Sequence, residues 1–137
     1  MINNYLVLRG KHEKDINEFP LFFAFDDKQF KKGLEKLNTI KENIRSLGDG
    51  GFIKKEDVKE WQDILIRHSE EHKKAMDDKG YAYNMFRYEL SNHEFMITYD
   101  LEETLSSLNL TIEEVKKNSF LLEQLEKAKE DYLNEVE

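Results

Sequence analysis

Four polar side chains stand where helical spacing places core residues: His68 and His72, then Glu89 and His93. HxxxH and ExxxH each put two side chains on one helix face, about one turn apart. Three imidazoles and a carboxylate suit Zn, Fe, Mn or Ni, and helical bundles build metal sites in this way. Burying four polar groups without compensation is costly, so a shared partner is the physical reading. A structural zinc stapling a small domain is the expected use. The catalytic alternative is a metal-dependent hydrolase or metal sensor, with His68, His72 and His93 on the ion and Glu89 or Glu94 activating a bound water. The competing reading leaves each His half-exposed or hydrogen-bonded to a Glu.

Those residues need two neighbouring helices. Residues 55–76 carry the stripe Val58, Trp61, Leu65, His68, His72 and Ala75. Asp77-Asp78-Lys79-Gly80 breaks it, and a second helix to about residue 95 carries Ala82, Phe86, Glu89 and His93. So short a break predicts an antiparallel helix hairpin. Counted from that break, His68 lies level with Glu89, while the two pairs are offset by about 6 Å. One tetrahedral ion therefore requires the helices to shift, or takes only three of the four. Glu71 and Glu94 are nearby substitutes, and His12 is a further source from a loop.

The remaining chain reads as follows. Tyr5-Leu6-Val7-Leu8 and Leu21-Phe22-Phe23-Ala24-Phe25 predict strands, with a polar loop over 10–20 between them that has room for a helical turn around Asp15 to Glu18. Asp26 or Asp27 caps a helix bearing Phe30, Leu34 and Leu37, and Thr39 caps a short helix bearing Ile40, Ile44 and Leu47. Gly48-Asp49-Gly50-Gly51 forms a turn, and Phe52-Ile53 adds a short strand. Asp100 with Glu103 and Thr111 with Glu114 have capping-box spacing. Ser119 starts a last helix with the stripe Leu121, Leu125, Ala128 and Tyr132. The expected fold is mostly α (α+β): a helix hairpin and C-terminal helices with a small N-terminal β-sheet, one compact domain over residues 1–137.

The 137 residues contain no Cys, which excludes disulfides, thiolate metal sites and a Cys nucleophile. The net charge is −8, and it is uneven. Residues 1–50 are net +1, residues 51–100 net −3 and residues 101–137 net −6. That gradient disfavours direct nucleic-acid binding and favours a basic protein partner. No apolar run spans a membrane and no signal-peptide pattern opens the chain, so a cytoplasmic protein is expected. Other motifs are weaker. Asp49 to Asp57 has the shape of half an EF loop but lacks its carboxylates. Leu108-Asn109-Leu110-Thr111 resembles a helix–turn–helix joint, yet the acidic helix after it would repel DNA.

Leu8-Arg9-Gly10-Lys11-His12, Phe19-Pro20-Leu21-Phe22-Phe23-Ala24-Phe25, Gly50-Gly51-Phe52-Ile53, Tyr88-Glu89-Leu90-Ser91-Asn92-His93-Glu94 and Thr98-Tyr99-Asp100-Leu101-Glu102 together resemble a family of short proteins from phages, prophages and mobile elements of Firmicutes. The resemblance carries over Glu89, His93 and Glu94 as one block and His68 apart from it, while His72 departs from the pattern. It implies no reaction. By analogy with phage accessory proteins it implies an inhibitor of a host defence nuclease, an anti-CRISPR protein acting on a Cas9-type effector in the bacterial cytoplasm. Such effectors hold their heteroduplex in a basic channel. Glu123, Glu126 and Glu130 on the last helix, with Glu102 and Glu103, are the side chains expected to meet it.

Overall fold

The computed structural model describes residues 3–95 and 99–136. Among the described residues, seven α-helices and one three-stranded antiparallel sheet make the fold mostly α, as the patterning predicts. Thr98, part of one resemblance block, lies outside the described residues. The chain divides into two compact units. One is residues 11–70, and the other joins residues 1–10 to residues 71–137.

Within residues 11–70, helix α1 (Asn4–Glu18) contributes its second half, followed by β1 (Leu21–Phe23) and α2 (Asp27–Lys36). Strands β2 (Ile44–Gly48) and β3 (Gly51–Lys54) form a hairpin, and α3 (Val58–Ala75) follows a short 3-10 turn. The sheet order is β1-β3-β2, so β3 is central and β1 is an edge. Ile53 of β3 packs with Phe19, Leu21 and Trp61 on one sheet face. Phe52 stacks on Phe22 on the other, where Phe30 and Leu34 of α2 cover it. Asp26 caps α2, its carboxylate accepting from the Gln29 N–H at 2.7 Å.

Two sequence expectations are overturned here. Residues 40–47 form only a 3-10 turn at Lys41–Asn43, with Ile40 and not Thr39 as its N-cap, and then strand β2, because Gly48, Asp49 and Gly50 all take positive φ and turn the chain back into the β2–β3 hairpin. Tyr5 to Leu8 is not a strand, and residues 10–18 are not a loop. Asn3 caps this segment through its side chain, which accepts from the Leu6 N–H at 3.1 Å, and α1 runs on to Glu18.

In the other unit, the start of α1 joins α4 (Lys79–Asn92), α5 (Glu102–Ser107), α6 (Ile112–Lys117) and α7 (Ser119–Val136). Every second pair of α4 positions is buried: Tyr81 and Ala82, Met85 and Phe86, Glu89 and Leu90. Helix α4 lays this face on α7, whose Leu121, Leu125, Ala128 and Tyr132 are buried as the stripe predicts. The helix that covers α4 in this unit is thus the C-terminal one. Thr111 and Glu114 form the expected capping box. Asp100 and Glu103 do not; Asp100 accepts instead from the Glu102 N–H at 2.8 Å.

Two glycines give opposite expectations for substitution by alanine. At Gly33 of α2 an added Cβ would lie 2.0 Å from the Phe22 ring, so helix and sheet touch through this position. Gly33→Ala should destabilise the protein by about 1–3 kcal/mol. At Gly10 an added Cβ meets nothing within 4 Å, and Gly10→Ala should stabilise by about 0.5–1 kcal/mol. Urea denaturation of both variants reads the difference; equal effects would contradict this packing.

Candidate functional site

The polar centre of the α4–α7 unit is Glu89, which is 2% exposed among Tyr5, Met85, Phe86 and Leu90. Its carboxylate is enclosed by side chains from three helices. Tyr5 donates its hydroxyl to Oε1 at 3.2 Å, and the Arg9 guanidinium stands 3.6 Å from the same oxygen. Ser107 Oγ lies 2.8 Å from Oε2 and 2.7 Å from the Thr104 carbonyl, so its one proton serves a single acceptor at a time. His93 Nε2 is 3.3 Å from Oε2, within ion-pair reach but not aligned as a hydrogen bond.

Each donor is placed by a simple local cause. Tyr5 and Arg9 are one turn apart on α1 and so share a face. Arg9 also lies over the Tyr88 ring, 5.1 Å from its centroid. His93 is the C-cap of α4, one turn beyond Glu89, and its other ring nitrogen is 3.8 Å from exposed Glu103. Tyr81 packs edge-on against Tyr5, and its hydroxyl is 2.7 Å from His72 Nδ1. Burial first, then the Glu89 carboxylate, pushes the Tyr5 hydroxyl well above the ordinary tyrosine range. Burial alone pushes Tyr81 up to about 12. Tyr83, held by Asp131 at 2.5 Å, is also pushed up to about 12, mainly by burial.

The four residues singled out for metal binding are thus distributed. Glu89 and His93 meet; His72 is held by Tyr81. His68 belongs to the other unit, buried at 8% exposure, with Nε2 2.9 Å from Asp15 Oδ2. There the His12 ring stacks on His68 at 3.8 Å, and Arg67 shares the same Asp15 oxygen at 2.6 Å. The hydrogen bond from His68, helped by Arg67, holds the Asp15 carboxyl below its usual range. His12 reaches His68 from a helix, not a loop. Among the described residues, no group of three or more His, Asp or Glu has an arrangement able to hold a metal ion.

The sequence singled out Glu89 and His93 but missed Tyr5, Arg9 and Ser107. The available signal was the Tyr5–Arg9 spacing, which is meaningful only if that segment is read as helix. Glu102, Glu103, Glu123, Glu126 and Glu130 are all exposed. Among the described residues, no helix is long and apolar enough to cross a membrane.

The result is one helical unit organised around an enclosed carboxylate and one α/β unit. The chain belongs to DUF7659, a family of unknown function, whose model matches residues 4–131. No curated protein and no solved structure matches it significantly.

The tyrosines give this site a pH dependence with a definite sign. A phenol whose folded pKa exceeds its unfolded value of 10.0 keeps its proton while the unfolded chain loses it. Its stabilisation is complete below pH 10 and is lost as the pH rises through the folded value. Stability should therefore fall steadily from about pH 10 upward. Tyrosinate absorbance should show part of the six tyrosines ionising late, together with unfolding. Six tyrosines titrating alike near 10.0 would contradict the buried placement of Tyr5 and Tyr81.

Proposed function

We propose that this protein is a non-catalytic binding protein whose α4–α7 unit docks through an acidic surface onto a basic protein groove. One observation carries the reading: α7 has a largely apolar inner face and an outer face on which glutamates outnumber the lysines Lys127 and Lys129, the latter 3.4 Å from Glu126. Its inner face is buried on α4, while Glu123, Glu126 and Glu130, spaced three and four residues apart, stand exposed on the outer one. The same unit holds 16 acidic against 9 basic residues, whereas residues 11–70 hold 13 against 12. Acidic Glu102 and Glu103 are exposed at the start of α5.

The chemistry of Glu89 supports a structural role for the buried centre. Its oxygens already face a tyrosine, an arginine, a serine and a histidine of the same unit. Such a carboxylate is a fold-specifying group more readily than a general base. The partner class that fits the outer charge is a protein with a Lys- and Arg-lined nucleic-acid channel. A Cas9-type nuclease is the specific instance, with the protein as a phage or mobile-element inhibitor acting in the host cytoplasm.

The test is DNA cleavage by a guide-loaded Cas9-type nuclease, titrated with wild-type protein and with a Glu123→Lys, Glu126→Lys, Glu130→Lys variant. Exposed substitutions of this kind alter stability by about 0.5 kcal/mol or less each. Wild type should inhibit, less so as salt rises. The folded variant should need at least ten times more protein. Undiminished inhibition by the variant would remove α7 as the contact face, and no inhibition by wild type would remove this nuclease class.

A further inference from the structure

The α/β unit carries a second surface that the acidic face does not use. Beside β1 lies an open groove of 580 Å³, between that strand, the end of α1 and helix α2. Its apolar lining includes Ile16, Phe19, Leu21 and Phe23, and Lys32 and Lys36 of α2 line it as well. Phe23 is 61% exposed, and Phe25 just beyond the strand is 77% exposed. Both residues lie entirely within residues 11–70.

The main chain of β1 is open on this side. β1 is an edge strand whose sheet neighbour is β3. The Ala24 N–H bonds to the Gly50 carbonyl at 2.9 Å, and Phe22 lies opposite Phe52 in the same register. In antiparallel pairing the alternate residues, Leu21 and Phe23, then turn their N–H and C=O groups away from β3 and into the groove. Lys36 Nζ reaches the Leu21 carbonyl at 3.3 Å, a contact that occupies one of those edge groups in the isolated chain.

We infer that the β1 edge is a docking site for an extended acidic segment of a partner protein, added to the sheet as a fourth strand. Strand addition takes affinity from main-chain hydrogen bonds and specificity from alternate side chains. Here the alternation has a charge rule. Lys32 and Lys36 are four residues apart, about 6 Å along a helix. Residues two apart on one side of a strand are about 6.6 Å apart. Carboxylates at every second position of the incoming strand therefore match the two ammonium groups, while the intervening side chains, if apolar, fall on Phe19 and Phe23. Lys36 exchanges the Leu21 carbonyl for a carboxylate when the strand arrives.

The probe is a fluorescein-labelled octapeptide of alternating valine and glutamate, titrated with the full chain and read by fluorescence anisotropy. Saturable binding is expected. It should weaken at least tenfold for the lysine counterpart of the peptide, and likewise for a backbone N-methylated version. It should also weaken at least tenfold for a Lys32→Glu, Lys36→Glu variant, whose helical circular dichroism should be unchanged because both lysines are exposed. Equal affinity for either control peptide, or for the variant, overturns the proposal, as does no saturation at millimolar peptide. Tighter binding of decanoate than of the peptide would make the occupant an anionic amphiphile. A dimer of the chain that Phe23→Glu abolishes would make it a second copy. Either result also overturns the proposal.

Discussion

A carboxylate placed inside a helical core must be met by donors, and Glu89 sets that requirement for the α4–α7 unit. Its position on α4 is fixed by packing, since the helix buries the residues on both sides of it against α7. The donors then have to arrive from elsewhere: Tyr5 and Arg9 from the start of α1, Ser107 from the end of α5, His93 from the cap of α4 itself. Removing one partner from such a group leaves it desolvated and unmatched, which costs more than the contact was worth. The arrangement therefore penalises any packing in which residues 1–10 are absent. It explains why those residues belong to a unit whose other members begin at residue 71.

Besides Glu89, the buried polar side chains of this unit among the described residues are Thr104 and Gln124; the rest of its interior is apolar and aromatic, and its sequence carries an excess of acid. Helix α7 expresses both halves of this division in one element. Tyr132 and Leu125 belong to the core, and Glu126 and Glu130 to solvent. The α/β unit is built differently. Its charge is nearly balanced, and its sheet is covered on both faces by aromatic and aliphatic clusters. It keeps one strand edge open beside two lysines. The two surfaces carry charges of opposite sign.

Much of this was legible in the sequence. The stripes of α2, α4 and α7, a cap for α2 at Asp26 or Asp27 and the Thr111–Glu114 box all follow from spacing alone. Glu89 stood out because a carboxylate occupied an apolar stripe. The failures have physical causes. Tyr5-Leu6-Val7-Leu8 is rich in strand-favouring residues, but its conformation is decided by the Asn3 cap and by the Tyr5 bond to a carboxylate 84 residues away. Ile40 to Leu47 has helical apolar spacing, but three successive positive φ angles at residues 48–50 make a hairpin. The histidines are ambiguous in a different way. Imidazole is at home both on a metal and against a carboxylate or phenol, and spacing does not separate the two. In this structure His68 lies on Asp15, His72 on Tyr81 and His93 beside Glu89.

The most direct measurement is a double-mutant cycle on the buried pair: urea denaturation of wild type, Tyr5→Phe, Glu89→Gln and the double variant. If Glu89 organises the unit through its donors, the two substitutions should be non-additive, with a coupling of about 0.5–3 kcal/mol. Additive effects would mean that the Tyr5 hydroxyl and the Glu89 carboxylate stabilise the fold independently. The enclosed carboxylate would then not be what holds α1 to α4.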